Sequence, residues 1–246
     1  MILIANWKAY VEDTKKAAVL LKLAKRLARA SEATMVIAPP APFLSLLAHK
    51  ERALAFAAQD VSLTTGGATT GESTAQAYVS AGATYAIIGH SERRAMGDSM
   101  ADVAQKLSHA LAHELRPVLC IGEKERDSDG RYLAHIREQL DSALRHLSQK
   151  ERKQIILAYE PIWAIGKNAD AAIRPADLSE MVLYIRKVLS ELLPGRSGLT
   201  VPVLYGGSVE PENIRLLSEG TGVDGFLVGH ASTDPVMWTK LVKALA

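Results

Sequence analysis

The chain has 246 residues and little of several residue types, and each shortage excludes a class of protein. Cys120 is its single cysteine, so an intrachain disulfide and a cysteine-rich metal site are both excluded. Aromatic residues make up only 5% of the sequence, and no apolar run approaches the roughly 20 residues that span a membrane. The N-terminus shows no basic region ahead of an apolar stretch, as a secretory signal would. We therefore expect a soluble, cytoplasmic protein without a membrane partner.

The charge balance is nearly even, with 29 lysine and arginine residues against 27 aspartate and glutamate residues. No dense basic run is interleaved with aromatic residues, as a nucleic-acid-binding surface would require. We therefore expect no nucleic-acid partner. The hydrophobic fraction of 48% is ordinary for a globular protein of this length and allows a sizeable core.

Short apolar runs alternate with amphipathic stretches along the whole chain. In the stretches Thr14–Ala30 and Leu178–Leu192, apolar residues recur every three or four positions, which is typical of helices packed on a core. The same spacing begins at Met100, after Asp98 or Ser99 as the capping candidate. The apolar runs between these helices predict strands at Ile2–Asn6, Thr34–Ala38, Leu54–Gln59, Tyr85–Gly89, Val118–Gly122, Ile155–Glu160, Val201–Tyr205 and Gly225–Gly229.

Eight strand-then-helix units in 246 residues amount to about 31 residues each, close to the size of a βαβ unit. No linker rich in proline, glycine or serine interrupts the series, so we predict one domain over residues 1–246. Eight such units close naturally into a (β/α)8 barrel, the TIM barrel, in which helices surround eight parallel strands. A doubly wound sheet is the main competitor. It usually carries a glycine-rich phosphate fingerprint after its first strand, where this chain has Ala5-Asn6-Trp7-Lys8.

Glu160 ends an apolar, strand-forming run that begins at Ile155, and Pro161 follows it directly. A strand this hydrophobic is typical of a parallel sheet buried on both faces. The carboxylate would then lie at the edge of the core, partly removed from water. Two interpretations are open: an ordinary ion pair with a lysine or arginine, or a functional carboxylate. A barrel predicts that the other strand ends decide between them.

The first and fourth predicted strands also end in polar side chains. Asn6 and Lys8 follow the first strand, where the ammonium group is either simply solvated or neutralises a phosphate or a developing oxyanion. His90 follows the fourth strand, just before a helical turn. Its imidazole is either structural or a neutral N–H donor, because the positive end of the helix disfavours protonation. Glu92 and Arg93 could form an ordinary ion pair, and we expect a supporting role for both.

The remaining strand ends carry a cysteine, a carboxylate and two turns that contain glycine. Cys120 has no electropositive neighbour in sequence, so we expect an inert thiol, and we expect Glu123 to accept hydrogen bonds. The segment Tyr205-Gly-Gly-Ser-Val209 lets backbone N–H groups converge on an anion, at a place where barrels commonly bind phosphate. The segment Phe226–His230 ends the eighth strand beside it. No cluster of histidine, aspartate and glutamate has metal-ligand spacing, so we predict no catalytic metal.

Seven segments of the chain form an ordered set from the first strand to the last. They are Asn6-Trp7-Lys8, Thr70-Gly71-Glu72, Ile88–Arg94, Leu119–Glu123, Ala158–Gly166, Tyr205–Val209 and Asp224–Gly229. Together they resemble the triosephosphate isomerase family, in that family's order; each segment alone is weak support, whereas the ordered set is strong support. The resemblance implies reversible interconversion of dihydroxyacetone phosphate and D-glyceraldehyde 3-phosphate through an enediolate, in glycolysis and gluconeogenesis, with no cofactor.

The resemblance also implies a role for each site residue. Glu160 would transfer a proton between adjacent carbons while neutral His90 polarises the carbonyl, a pairing for which this family is the standard example. Lys8, with Asn6, would stabilise the enediolate charge. The phosphate would be held by Gly166, Ser208, Gly229 and the backbone of His230, and the supporting residues would be Glu92, Glu123, Cys120 and Tyr205.

Two loops complete the family pattern. The segment from Pro161 to Ala171 would be a lid that closes over the substrate and excludes water, as is known for this family. Thr70 and Glu72 lie on the loop that, in the family, inserts into a second subunit beside the active site. We therefore expect a homodimer.

The chain departs from the family at two places. Lys167-Asn168-Ala169 stands where the family usually has Thr-Gly-Lys, and asparagine adopts a left-handed backbone less freely than glycine, so we expect altered lid kinetics. His230 stands where the family has a second glycine, and its imidazole adds bulk and, when protonated, a positive charge. These departures keep a second hypothesis open, in which the substrate is a four-carbon sugar phosphate.

A third hypothesis is a catalytically silent barrel that serves as a binding protein. Retention of Lys8, His90 and Glu160 at separate strand ends disfavours it, since a silent barrel has no need for all three.

Overall fold

The computed structural model describes residues 1–48, 54–166, 172–193 and 200–245. Eight parallel strands form a closed barrel in chain order, and the first strand pairs with the last, Ile2 beside Gly225. The predicted (β/α)8 barrel is thereby confirmed. The strands are β1 Ile2–Asn6, β2 Thr34–Ala38, β3 Ala55–Ala58, β4 Tyr85–Ile88, β5 Arg116–Ile121, β6 Ile156–Tyr159, β7 Val203–Tyr205 and β8 Gly225–Val228.

Helices surround the strands and begin at residues that can cap them. Asp13 accepts hydrogen bonds from the N–H groups of Lys15 and Lys16 at the start of the first helix. Of the two capping candidates Asp98 and Ser99, the structure uses Ser99. The helices are α1 Thr14–Arg29, α2 Ala41–Ala48, α3 Ala75–Ser80, α4 Ser91–Ala95, α5 Met100–Ala112, α6 Arg131–Leu144, α7 Gln149–Arg152, α8 Pro175–Leu192, α9 Ile214–Ser218 and α10 Pro235–Ala244, with 3-10 turns at Ile162–Ala164 and His230–Thr233.

The strands of the barrel separate two apolar layers, one inside the barrel and one between the strands and the helices. In β1, Ile4 belongs to the interior layer, whereas Leu3 and Ala5 belong to the layer beneath the helices. This alternation follows from the two-residue period of a strand, and it buries both faces as the sequence predicts. The interior layer consists of Ile4, Val36, Ala38, Ala57, Ile87, Val118, Cys120, Ile156, Ala158, Leu204 and Leu227.

Several predicted strands end one residue too late. Gln59, Gly89, Gly122, Glu160 and Gly229 lie just beyond the strands to which the sequence assigned them. These residues leave the sheet at the carboxyl ends of the strands and turn into the loops. β1 and β2 match their predicted bounds, and β5 begins two residues earlier than predicted, at Arg116.

Candidate active site

The carboxyl ends of the strands surround a pocket of about 370 Å³. Its lining comes from the loops after β1, β4, β6, β7 and β8, which are far apart in sequence. The closed barrel therefore brings together most of the residues that the sequence singled out. Those that line the pocket are Asn6, Lys8, His90, Gly166, Ser208, Gly229 and His230.

Glu160 lies just below the pocket and is only 2% exposed. Its Oε2 accepts a hydrogen bond from the backbone N–H of Ser91, at 2.9 Å. Its Oε1 has no hydrogen-bond partner among the described residues, although His90 Nε2 lies 3.3 Å away. No described lysine or arginine forms an ion pair with this carboxylate, so the ordinary ion-pair interpretation finds no support. One carboxylate oxygen is therefore held by a hydrogen bond, and the other is buried without one.

His90 follows β4 and caps the short helix α4. Its Nδ1 accepts a hydrogen bond from the backbone N–H of Glu92, at 3.2 Å. An acceptor nitrogen carries no proton, so this contact assigns the neutral tautomer with its proton on Nε2. Nε2–H is therefore the donor of a neutral imidazole, and Nε2 lies 3.3 Å from Glu160 Oε1 without a hydrogen bond between them.

Lys8 follows β1 with a left-handed backbone, at φ 45°. Its N–H donates to Asn6 Oδ1 at 3.1 Å, and Gln59 Nε2 donates to its carbonyl at 3.0 Å. The ammonium Nζ lies 2.7 Å from Glu92 Oε1, at the side of the pocket. A Cβ added to Gly229 would lie 3.2 Å from Lys8 Cε, so glycine at that position leaves room for the lysine stem.

The ion pair that the sequence allows between Glu92 and Arg93 is not formed. Glu92 pairs with Lys8, whereas Arg93 Nε lies 2.9 Å from Asp60 Oδ2 and Arg93 Nη2 lies 3.4 Å from Asp98 Oδ1. Consecutive residues on a helix point in different directions, so neighbours in sequence do not face each other. Each side chain instead meets a partner from another loop.

Glu123 is a buried acceptor beside the strand that carries Glu160. Its Oε1 accepts hydrogen bonds from Tyr159 Oη at 2.7 Å and from Trp163 Nε1 at 2.9 Å. Trp163 lies on the 3-10 turn after Glu160, so Glu123 ties the start of the following loop to the barrel. Arg126 stacks on the Trp163 ring, with its guanidinium carbon 5.3 Å from the ring centroid.

Cys120 and Tyr205 lie beneath the pocket and do not line it. Burial, and then the negative charge of Glu160, raise the pKa of the Cys120 thiol well above its ordinary value. The thiol is therefore a poor nucleophile. The Tyr205 hydroxyl occupies the space that a Cβ on Gly207 would need, so the tyrosine supports the glycine turn from below.

The end of the pocket where the sequence predicts phosphate binding, here called the phosphate end, lies between the loops after β6, β7 and β8. It is formed by Gly166, Ser208, Gly229 and His230. Gly166 has φ 71°, a conformation that favours glycine. Ser208 Oγ donates to the carbonyl of Ala164 at 2.9 Å, which joins the loop after β7 to the loop after β6. Gly229 precedes the 3-10 turn that starts at His230, where the first N–H groups have no partner within the turn.

The sequence analysis missed several residues at the site. Tyr10 and Glu210 line the pocket, and no motif pointed to either. Tyr10 comes two residues after Lys8, so an aromatic residue on a strand-end loop was the available signal. Arg126 gave no signal, because its contacts depend on how α6 and α8 approach the barrel.

Other predicted features lie away from the pocket or outside the described residues. Thr70 and Glu72 lie on an exposed loop between β3 and α3 and do not line the pocket. Pro161 to Gly166 of the predicted lid are described, whereas Lys167-Asn168-Ala169 lies outside the described residues. Within the described ranges, no group of three metal-ligand side chains occurs, and no helix is long and apolar enough to cross a membrane.

Known proteins resemble this chain over nearly its whole length. The family model for triosephosphate isomerase matches residues 1–245. The triosephosphate isomerase of Chloroflexus aurantiacus is 36% identical over 245 residues, which cover 98% of this chain and 97% of the relative. That of Moorella thermoacetica is 37% identical over 248 residues, covering 98% and 97%. That of Symbiobacterium thermophilum is 36% identical over 251 residues, covering 100% and 96%.

Proposed function

This chain belongs to the triosephosphate isomerase family, and from that premise we propose how its residues divide the work of the reaction. The chain is an aldose–ketose isomerase of glycolysis, which interconverts dihydroxyacetone phosphate and D-glyceraldehyde 3-phosphate. The reaction moves a proton between two neighbouring carbons and a second proton between their oxygens. It therefore requires a base at the carbons and a donor at the oxygens.

Glu160 is the proposed base. The observation that carries the proposal is its unpartnered Oε1, which lies 3.3 Å from the neutral Nε2–H of His90. Ser91 N–H holds the other oxygen, so the carboxylate keeps its direction while Oε1 takes a proton from carbon and returns it to the neighbouring carbon. Low solvent exposure removes competing water from this oxygen.

His90 and Lys8 are the proposed stabilisers of the enediolate. Nε2–H of His90 donates to the carbonyl oxygen and then passes protons between the two oxygens, which suits a neutral imidazole. Lys8 Nζ contributes a fixed positive charge beside the pocket, held in place by Glu92 at 2.7 Å. Asn6 lines the pocket beside it.

The substrate phosphate is proposed to bind between Gly166, Ser208, Gly229 and the backbone of His230. All four line the same pocket, and converging backbone N–H groups suit an anion. The segment from Pro161 to Ala171 is proposed to close over it. The alternative substrate, a four-carbon sugar phosphate, gains no support, because the relatives compared above are named triosephosphate isomerases.

A coupled assay of the purified protein tests the proposal. Without added metal or cofactor, both triose phosphates should be converted. Glu160→Gln should lower kcat by roughly two to four orders of magnitude with little change in KM, because it removes the base and little ground-state binding. Glu138→Gln is the matched control, because it makes the same change at an exposed carboxylate on α6, away from the pocket. A Glu160→Gln enzyme with near-wild-type kcat would refute the assignment.

We also infer a homodimer. The exposed loop that carries Thr70 and Glu72 supports it, as do the exposed side chains of Leu63 and of Met96, which is 75% exposed. Light scattering on the eluted protein should give twice the chain mass, and Thr70→Arg should shift it towards one chain mass. The cytoplasmic location and the single domain over residues 1–246 stay predictions.

A further inference from the structure

Two side chains that the proposed mechanism leaves unused meet at the phosphate end of the pocket. Tyr10 comes from the loop after β1, and His230 begins the 3-10 turn after β8. Their ring centroids are 5.5 Å apart, and the ring planes are inclined by 75°. Because β1 pairs with β8, loops from opposite ends of the chain form one wall of the pocket.

This contact holds the imidazole beside the pocket. The backbone N–H of Tyr10 donates to the Trp7 carbonyl at 3.1 Å, and Lys16 Nζ donates to the Tyr10 carbonyl at 2.7 Å. Thr233 Oγ1 donates to the His230 carbonyl at 2.8 Å. Both backbones are therefore anchored, and the edge-to-face arrangement is a preferred geometry for aromatic pairs.

The same pocket carries a charge that opposes a phosphate. Glu210, from the loop after β7, lines it together with His230. Among the described lining residues, Lys8 is the one permanently charged cation, and its ammonium group already lies 2.7 Å from Glu92. A phosphate bound at the phosphate end of the pocket would therefore lie in the same pocket as the Glu210 carboxylate.

His230 is within electrostatic reach of that carboxylate. Burial, and then the charge of Glu212, raise the pKa of Glu210, whereas His230 lowers it. A second carboxylate, Asp234 at the start of α10, also feels the histidine. Its pKa is lowered chiefly because it accepts hydrogen bonds from the N–H groups at the helix start. Two acidic groups from different loops thus interact electrostatically with His230, while Tyr10 contacts its ring.

We propose that the His230 imidazole is a phosphate-binding side chain, which in its protonated form contacts the substrate phosphate and offsets the carboxylate of Glu210. Tyr10 is a positioning residue that holds the ring in place. The inference rests on the proposed function, because it requires a phosphorylated substrate in this pocket. It assigns the side chain of residue 230 a role in addition to that of its backbone. Histidine ordinarily changes charge between about pH 5 and 8, so the contribution grows as the pH falls.

The test compares His230→Gln with the wild-type enzyme at about pH 6 and pH 8.5, because histidine gains its charge across this range. The ratio of their KM values for glyceraldehyde 3-phosphate cancels the titration of the substrate itself. KM should rise about three- to fivefold at the lower pH, the size of a solvent-exposed ion pair, and the ratio should shrink at the higher pH. Inorganic phosphate, as a competitive inhibitor, should lose affinity by the same factor, whereas kcat should change much less.

Further variants separate the contributions. Glu210→Gln should lower KM and reduce the pH dependence, and combined with His230→Gln it should show coupling between the two positions. Tyr10→Ala should reproduce part of the His230→Gln effect, whereas Tyr10→Phe should retain wild-type KM, because only the ring makes the contact. His146→Gln is the matched control, since this exposed histidine lies between α6 and α7 at the opposite end of the barrel.

The outcomes distinguish this inference from the proposed function. If the wild-type protein isomerises triose phosphates and His230→Gln keeps the wild-type KM at both pH values, the inference is wrong and the function stands. A lower KM in His230→Gln would show that the side chain obstructs the phosphate, which also overturns it. If the wild-type protein does not act on triose phosphates, the proposed function fails first.

Discussion

Replacing Lys106 with methionine should destabilise the fold without touching the active site. The lysine side chain is only 3% exposed, and its ammonium lies 2.7 Å from Asp60 Oδ2 and 2.6 Å from Asp98 Oδ2. Methionine has a similar volume, so the change removes the charge and leaves both carboxylates without this partner. Arg93 still contacts both, at 2.9 Å and 3.4 Å.

The expected loss of unfolding free energy is about 3–5 kcal/mol at neutral pH, because breaking a buried ion pair leaves two carboxylates that the single charge of Arg93 does not balance. Asp60 is 20% exposed and Arg93 38% exposed, so solvent screening places the loss towards the lower end of this range. A loss of this size is a large part of the roughly 5–15 kcal/mol that stabilises a typical domain. Urea unfolding should therefore show a clearly lower midpoint with an unchanged slope.

The pH dependence gives the sharper test. Burial raises the pKa of Asp60, and the hydrogen bond and charge of Lys106 partly oppose that rise. Without Lys106 the pKa should rise further. A carboxyl group whose pKa is higher in the folded than in the unfolded state stabilises the fold, and this stabilisation is complete below its unfolded-state pKa. The stabilisation is lost as the pH rises through the folded-state pKa. The cost of Lys106→Met should therefore shrink as the pH falls from about 7.5 towards 4.

Two further variants serve as controls for Lys106→Met. Lys22→Met removes an exposed cation from α1 and should change stability by less than about 0.5 kcal/mol. Asp98→Asn combined with Lys106→Met should recover part of the loss, because Arg93 then balances the one remaining carboxylate, Asp60. If Lys106→Met costs no more than Lys22→Met, or if its cost grows as the pH falls, the argument from a buried charge cluster is refuted.

Three further variants test other contacts. Trp163→Phe removes the indole donor to Glu123, so it should cost about 1 kcal/mol in unfolding free energy and change kcat. Unchanged kinetics would show that this bond has no influence on the reaction. Gly122→Ala would place its methyl group against the backbone carbonyl of Glu160 and displace this residue. We therefore expect kcat to fall more than KM changes, and an active, stable variant would contradict the overlap. Ser99→Ala removes the cap of α5 and should lower stability by about 1 kcal/mol in urea unfolding while kcat stays at the wild-type value.

The fold was predictable because its signals are local. The apolar alternation that puts Ile4 inside the barrel and Leu3 beneath the helices depends only on the strand period. The strand ends were less predictable, because Gly89 or Glu160 continues an apolar run in sequence while its backbone already leaves the sheet. Eight such units leave few ways to close a sheet, so the barrel followed from their number.

The contacts within the site were predictable only in part. The sequence identified Glu160, His90 and Lys8, since each is a polar residue just after an apolar strand. It paired Glu92 with Arg93 because they are neighbours, whereas the structure pairs Glu92 with Lys8. Side-chain direction on a helix and the approach of another loop decide such contacts, and neither is written in local sequence.

The sequence by itself determined the eight-unit barrel, the identity of the residues at the strand ends, and the family. These depend on short-range periodicity and on residue types at fixed places in a repeat. The tertiary structure decided which atoms face each other: the free Oε1 of Glu160 beside the Nε2–H of His90, and Tyr10 against His230 at the phosphate end. Such contacts join residues that only closure of the barrel brings together, because side chains from β1 and β8 become neighbours when the first and last strands pair.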